Sequence, residues 1–283
     1  MSLNNNEICI LVIGYNRPEI LEETLKSIKE HISFECDYLI SIDGPKSTSD
    51  LEDVAKSISI AEKFNPKHLI KSDTNIGLFD NIVQSISFAA KKYSKILVLE
   101  DDVCLIHNID KQDFLNNHGV TSLWSIYTKP FINNKFLKDQ HFVCWGWVIS
   151  SKTWLSFIKF LEVKNDLFLI RDYFLYTKHD VPCLIQLINN FIGRKNTWAF
   201  YMNIFLNMNS INIYSPKFSY VSNIGSQKGT HQSKEFPDQS EIKFIDFSCN
   251  DYINFRHKIL TNNYSKKSRL LFLLLKLFLK KSS

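Results

Sequence analysis

Over the first hundred residues, apolar and polar positions alternate in blocks with a regular rhythm. Residues 7–14 (E-I-C-I-L-V-I-G) form an apolar run ending in glycine, the pattern of a strand buried on both faces. Pro18 then opens a helix at its first turn, where proline is tolerated, with Ile20, Leu21, Thr24, Leu25 and Ile28 at helical spacing. Residues 38–42 are a second apolar run, stopped by the turn signal Asp43-Gly44-Pro45. An amphipathic helix over 51–64, a short strand over 68–70 and a helix over 79–92 follow. Ile82, Val83, Ile86 and Ala89 share one face of that last helix. Ile96 to Leu99 is a fourth strand. The β-α-β-α-β-α-β succession predicts an α/β fold with a mostly parallel central sheet flanked by helices.

The second half is less regular. Residues 142–149 (F-V-C-W-G-W-V-I) read as an aromatic-rich strand, and 154–161, 182–191 and 198–206 as helices. Residues 214–224 read as a short strand ending in a polar loop over 225–235. No internal repeat occurs, and 235–250 has little pattern.

The chemistry-bearing residues sit just after the strands: Tyr15-Asn16-Arg17, then Asp43, then residues 71–77, then Glu100-Asp101-Asp102. Three consecutive carboxylates at the end of a buried strand repel one another and are costly to desolvate without a cation. A hard divalent ion with oxygen ligands is the simplest partner. Ligands of open α/β sheets bind at the carboxyl ends of strands, so the pattern points to a metal-assisted site for an anionic substrate such as a nucleotide diphosphate. An acidic pair after a strand also suits a helix cap or a solvated turn. Four such placements on one sheet edge favour the site.

The 283 residues, 45% hydrophobic and 22% charged, are ordinary for a globular protein with a substantial core. The net charge of +5 is too small to argue for nucleic-acid binding, and none is expected. Much of the excess lies in the last twenty residues. The six cysteines are scattered without a C-x-x-C pair, so neither a zinc site nor a disulfide framework is expected. Residues 1–7 are polar, unlike a signal peptide, which makes the reducing cytoplasm the expected compartment.

Taken together, residues 12–18 (V-I-G-Y-N-R-P), 41–43 (S-I-D), 75–77 (N-I-G), 99–102 (L-E-D-D) and 144–147 (C-W-G-W) resemble the GT-A glycosyltransferases. Within that fold the chain is most similar to bacterial sugar transferases related to family 2 and to the N-acetylglucosaminyltransferase I type. Residues 214–231, with Tyr214-Ser-Pro, Ser222-Asn-Ile-Gly225 and Gly229-Thr-His231, resemble the closing motif of such enzymes. The resemblance spans roughly residues 8–232. It implies a GT-A (nucleotide-diphospho-sugar transferase) fold, with a donor-binding half over 1–103 and an acceptor-binding, catalytic half over 104–235. A C-terminal extension covers 236–283.

The resemblance also implies roles. Asp102 would be the direct ligand of Mn²⁺ or Mg²⁺, which would bridge to the donor diphosphate and neutralise the leaving group. Asp101 and Glu100 would hydrogen-bond the sugar or ribose; a structural salt bridge is the other reading of Glu100. Asp43 would contact the base or ribose, or simply close an Asp-Gly turn. Tyr15, Asn16 and Arg17 would face the donor, Arg17 pairing with phosphate or stacking on the base, if it is not merely solvated at a helix start. Lys71, Asn75 and Gly77 lie on a loop placed for the donor, although loop lysines commonly just face solvent. Trp145 and Trp147 flank Gly146 and, by strand alternation, would share a side as an acceptor-binding wall, with core packing the alternative for one of them. His231 would complete the metal shell unless it is simply exposed. The base is not fixed. Similar enzymes carry an acid just before a Trp where this chain has Asn196-Thr-Trp198, so Asp172 and Asp180 become the candidates.

Residues 264–281 (Y-S-K-K-S-R-L-L-F-L-L-L-K-L-F-L-K-K) place cations around a Leu/Phe centre too short to span a bilayer. They suit an interfacial helix on an anionic membrane, or a helix docked on the core. The expectation is a peripheral enzyme on the inner face of the cell membrane. It would transfer a sugar, with inversion, from a UDP-linked nucleotide-sugar donor to a lipid-linked acceptor of polysaccharide or lipopolysaccharide assembly. The alternatives are a nucleotidyltransferase, which would want a Gly-rich basic loop that residues 15–18 do not supply, and a degenerate carbohydrate-binding or assembly subunit.

Overall fold

A computed structural model describes residues 7–112, 119–125, 136–139, 142–166, 169, 198–216 and 218–225. Asp172, Asp180, Asn196, His231, the 182–191 segment and the basic tail lie outside the described residues.

Strand β1 (Ile8–Gly14) is buried along its whole length, as its unbroken apolar run predicts for a central strand covered on both faces. It pairs in parallel with β2 (Asp37–Ile42) on one side and β4 (Lys95–Glu100) on the other. β3 (His68–Lys71) extends the parallel array beyond β2. The full sheet has eight strands in the order β3-β2-β1-β4-β8-β6-β9-β7. Here β6 is Val120–Ser122, β7 Phe136–Asp139, β8 Trp147–Ser150 and β9 Ile213–Pro216. β8 and β7 run against the rest, so the sheet is mostly parallel.

The two faces of β1 feed two cores. Ile8, Ile10 and Val12 pack under helix α1 (Pro18–His31) and helix α2 (Leu51–Phe64), meeting Leu21, Leu25, Ile28, Val54 and Ala61. Cys9, Leu11 and Ile13 face helix α3 (Leu78–Ala90), with helix α4 (Ser151–Val163) and helix α5 (Trp198–Met208) completing that layer. Right-handed crossovers account for the split: the chain steps outward through α1 and α2, then returns through α3 on the other face.

Several short elements depart from the sequence reading. Residues 214–224 are two strands: β9 in the main sheet, and β10 (Val221–Asn223) paired antiparallel with β5 (Val103–Leu105). The strand expected from residue 142 begins only at Trp147, because Gly146 at φ +66° breaks the extended backbone. Of the cysteines, Cys9 and Cys104 are buried and Cys36 and Cys144 half-buried, all four with free thiols.

Candidate functional site

Strand order reverses between β1 and β4: β2 and β3 lie to one side of β1, and β4 and everything after it to the other. Such a reversal opens a crevice at the carboxyl ends of the two strands. Tyr15, Asn16 and Arg17 enter it from β1, and Glu100, Asp101 and Asp102 from β4.

Asp101 is buried and fixed through its backbone: its N–H donates to Ile13 O at 2.8 Å, and Thr24 Oγ1 donates to its carbonyl at 2.6 Å. Its carboxylate faces Arg17, which forks onto both oxygens through Nη2 and Nε. The Tyr15 N–H reaches Oδ2 at 3.4 Å. Arg17 Nη1 continues to Asp102 Oδ2 at 2.9 Å, so one guanidinium spans two carboxylates. Pro18 fixes the first turn of α1 directly behind Arg17.

Asp102 is held from its far side by β10. Ile224 N–H donates to its carbonyl at 2.8 Å, and Asn223 Nδ2 stands 3.5 Å from Oδ1. Gly225 packs so tightly that a Cβ there would come 2.2 Å from Asp102 Oδ2. The short β5–β10 ribbon thus brings Asn223 and Gly225 to an acid more than a hundred residues earlier. Both lie in the Ser222-Asn-Ile-Gly225 stretch of the closing motif, but the sequence gives neither a contact with Asp102. Three-residue strands carry little periodic signal.

The electrostatics follow from crowding. Burial pushes the Glu100 carboxyl up to about 8, with Asp102 and Asp101 adding to the rise and Arg17 opposing it. Burial likewise lifts Asp101 to about 6 against the pull of Arg17. The Cys144 thiol is pushed up by burial and by nearby Glu100, which leaves it protonated and unsuited to nucleophilic work.

Asp43 has a different environment. Its carboxylate accepts from Gly44 N–H (2.8 Å), Ile76 N–H (2.9 Å), Gly77 N–H (2.9 Å) and Asn75 Nδ2 (2.9 Å). It ties the loop after β3 to the end of β2, with both oxygens engaged by the protein. Asn75 is committed to this knot through Asp43 and Gly44 O. Gly77, at φ +83°, turns the chain into α3. Lys71 points elsewhere: its Nζ pairs with Glu62 of α2 at 3.2 Å, both side chains about half exposed.

Asp50 is a residue the sequence reading did not single out. It accepts from Tyr15 Oη (2.9 Å) and Asn16 Nδ2 (3.2 Å), joining the loop after β1 to the loop after β2. Its signal was the Ser47-x-x-Asp50 capping spacing, and the capping box does form.

The tryptophans do not share a side. Trp147 is 1% exposed and stacks on Trp198 at 5.3 Å in the core beneath α3, so it presents no face to a ligand. Trp145 lies on the opposite face of the sheet, half-buried, edge-to-face with Trp124 at 5.3 Å. The turn at Gly146 defeats the alternation that a continuous strand would have imposed. Of the expected acceptor wall, Trp145 remains accessible, with Trp124 beside it.

The donor set suits a hard divalent ion of the kind that takes one or two carboxylates and leaves its other positions to water and phosphate. Among the described residues, no group of three or more His, Cys, Asp or Glu side chains is placed to hold a metal ion by itself. Among the same residues, no helix is long and apolar enough to cross a membrane.

No protein-family model matches the sequence, and no curated protein matches it. Among solved structures, the chain is similar in shape to a nucleoside-diphosphate-sugar pyrophosphorylase from Vibrio cholerae RC9. The TM-score is 0.48 at 11% identity, over 76% of this chain and 95% of that one. It is also similar to S. aureus TarS, with a TM-score of 0.46 at 13% identity, over 78% of this chain and 37% of that one. The fold class of this protein, α/β with a mostly parallel sheet between helical layers, rests on its own strand order and pairing.

Proposed function

We propose that this protein is a metal-dependent glycosyltransferase of GT-A type, moving a sugar from a nucleotide-sugar donor, UDP-linked, to a glycan acceptor with inversion. The observation that carries the reading is the meeting of Arg17 with Asp101 and Asp102 where strand order reverses, with Gly225 closing over Asp102. A crevice at such a reversal, with a forked cation on one wall and a carboxylate on the other, suits a diphosphate held through a metal.

Asp102 would hold Mn²⁺ or Mg²⁺, with His231 as a further ligand. The ion supplies charge stabilisation to the departing diphosphate. Arg17 pairs with phosphate oxygens. Tyr15 and Asn16, braced by Asp50, form the base side of the pocket. Asp43 acts through the 75–77 loop it holds, shaping the donor side while its own acceptors stay on the chain. Trp145, with Trp124, offers an apolar face to sugar C–H groups. Asp172 and Asp180 are the candidates for the base that takes the acceptor proton. The basic, Leu/Phe-rich tail would seat the enzyme on the inner face of an anionic membrane, beside a lipid-linked acceptor.

The test is a thermal-shift panel of nucleotide sugars with and without Mn²⁺, on wild type and Asp102→Asn. A metal-dependent shift for one UDP- or GDP-sugar, lost in the variant, supports the reading and names the donor class. No shift with any nucleotide overturns it. Donor binding without transfer to any acceptor favours the assembly-subunit alternative, which Asn196 motivates.

A further inference from the structure

Arg17 occupies a carboxylate oxygen of Asp102, the proposed metal ligand. Its Nη1 donates to Asp102 Oδ2 at 2.9 Å, while Nε and Nη2 remain on Asp101. The other flanks of Asp102 are taken: Asn223 Nδ2 stands at 3.5 Å from Oδ1, and Gly225 backbone closes against Oδ2. The Arg17 side chain is only 18% exposed, and Asp101 and Asp102 are more buried still. Two cations sharing one buried oxygen repel strongly at such dielectric, so a guanidinium and a divalent ion exclude each other there. The fork on Asp101 gives Arg17 a second hold, about which Nη1 can leave Asp102 without the side chain losing its buried counter-ion.

We infer that Arg17 is the resting counter-cation of Asp102 and couples metal binding to diphosphate binding: Nη1 releases Asp102 when it gains an anionic phosphate oxygen in exchange. This rests on the proposed reading of the site. Metal and nucleotide then bind cooperatively, and neither binds well alone. A ligand can shift such an equilibrium only by its differential affinity for the two states, and the phosphate oxygen supplies that difference.

The experiment is a Mn²⁺ titration followed by electron paramagnetic resonance of free Mn²⁺, without turnover, with and without UDP. It compares wild type, Arg17→Gln and Arg17→Lys. In wild type, UDP strengthens Mn²⁺ binding by about tenfold or more, the size of one charge-assisted hydrogen bond exchanged. In R17Q, Mn²⁺ alone binds about tenfold more tightly than in wild type, and UDP adds little further. R17K falls between, because an ammonium keeps the charge but cannot fork across two carboxylates. Equal Mn²⁺ affinity of wild type and R17Q without nucleotide overturns the coupling while leaving the metal site standing. Should R17Q not fold, equal affinity of wild type and R17K does the same. Absence of Mn²⁺ binding in every variant, with or without UDP, overturns the site reading and the coupling with it.

Discussion

Two carboxylate stations stand on the same sheet edge and are satisfied in opposite ways. At the end of β2, Asp43 is surrounded by neutral donors, three backbone N–H groups and one amide. At the end of β4, Asp101 and Asp102 are held mainly by charge: a single guanidinium spans both, Glu100 lies beside them, and the neutral donors, Tyr15 N–H and Asn223 Nδ2, stand at 3.4 and 3.5 Å. The first arrangement is closed. Every acceptor is spent on the chain itself, which is what a structural knot requires. The second rests on one guanidinium shared between two carboxylates, and under the proposed coupling that cation gives way to another. Position on the edge does not separate structure from chemistry here. The nature of the partner does.

The largest effect that would sharpen this contrast is on stability at Asp43. Asp43→Ala strands three backbone N–H groups and the Asn75 amide, and should cost about 3 kcal/mol. Urea denaturation would measure it. Asp102→Asn, which leaves Arg17 its fork on Asp101, should change the midpoint far less. A loss at Asp102 equal to that at Asp43 would collapse the distinction.

Next is Gly225→Ala. A Cβ placed 2.2 Å from Asp102 Oδ2 cannot be accommodated unless the carboxylate or the β10 end moves. Overpacking of this kind costs about 1–3 kcal/mol. Its specific signature is loss of the Mn²⁺-dependent nucleotide shift, which a distant packing defect of equal size would spare. Retention of that shift in G225A would show that β10 does not hold Asp102 in its working position.

The sign of the pH dependence gives a third handle. Glu100 titrates at about 8 in the fold against an ordinary value of 4.5, and Asp101 at about 6 against 3.8. Between the ordinary and the folded values the native state binds more protons than the unfolded state, so stability falls as pH rises. In chelator, the melting temperature should therefore drop from pH 5 towards pH 8. Glu100→Gln should flatten that slope. A wild-type profile that rises over this window would mean the Arg17 pairing outweighs burial.

Much of this was legible in the sequence, for a physical reason. β1 and β4 carry unbroken apolar runs, β2 and β3 shorter ones bounded by turn chemistry, and α1 announces itself through Pro18, so the parallel half of the sheet could be read with boundaries within a residue or two. The acidic run of β4 could be placed on the correct edge because that edge follows from alternation alone. What could not be read depends on contacts distant in sequence. That Arg17 meets Asp101 requires knowing that β4 lies beside β1. That Gly225 meets Asp102 requires the β5–β10 ribbon, three residues a side. The Trp145–Trp147 expectation failed on one dihedral, since a periodic reading assumes extended backbone and Gly146 is left-handed. Asp43-Gly44 carried both readings at once, donor contact and turn, and its environment is that of the turn.

The smallest effect tests how far proximity in sequence can mislead. Lys71 ends β3 on the site edge and belongs by position beside the donor loop, yet its ammonium reaches Glu62 on the outer helix α2. An exposed pair of this kind contributes about 0–1 kcal/mol, since Coulomb attraction in water barely exceeds the cost of ordering two long side chains. Lys71→Ala should therefore shift the denaturation midpoint only slightly and leave nucleotide affinity within about twofold, below the loss expected from removing a direct phosphate contact. A tenfold loss of UDP affinity in K71A would mean that Lys71 leaves Glu62 when donor binds. The β3 loop would then join the exchangeable station at β4, and the closed knot at Asp43 would be the hinge on which it moves.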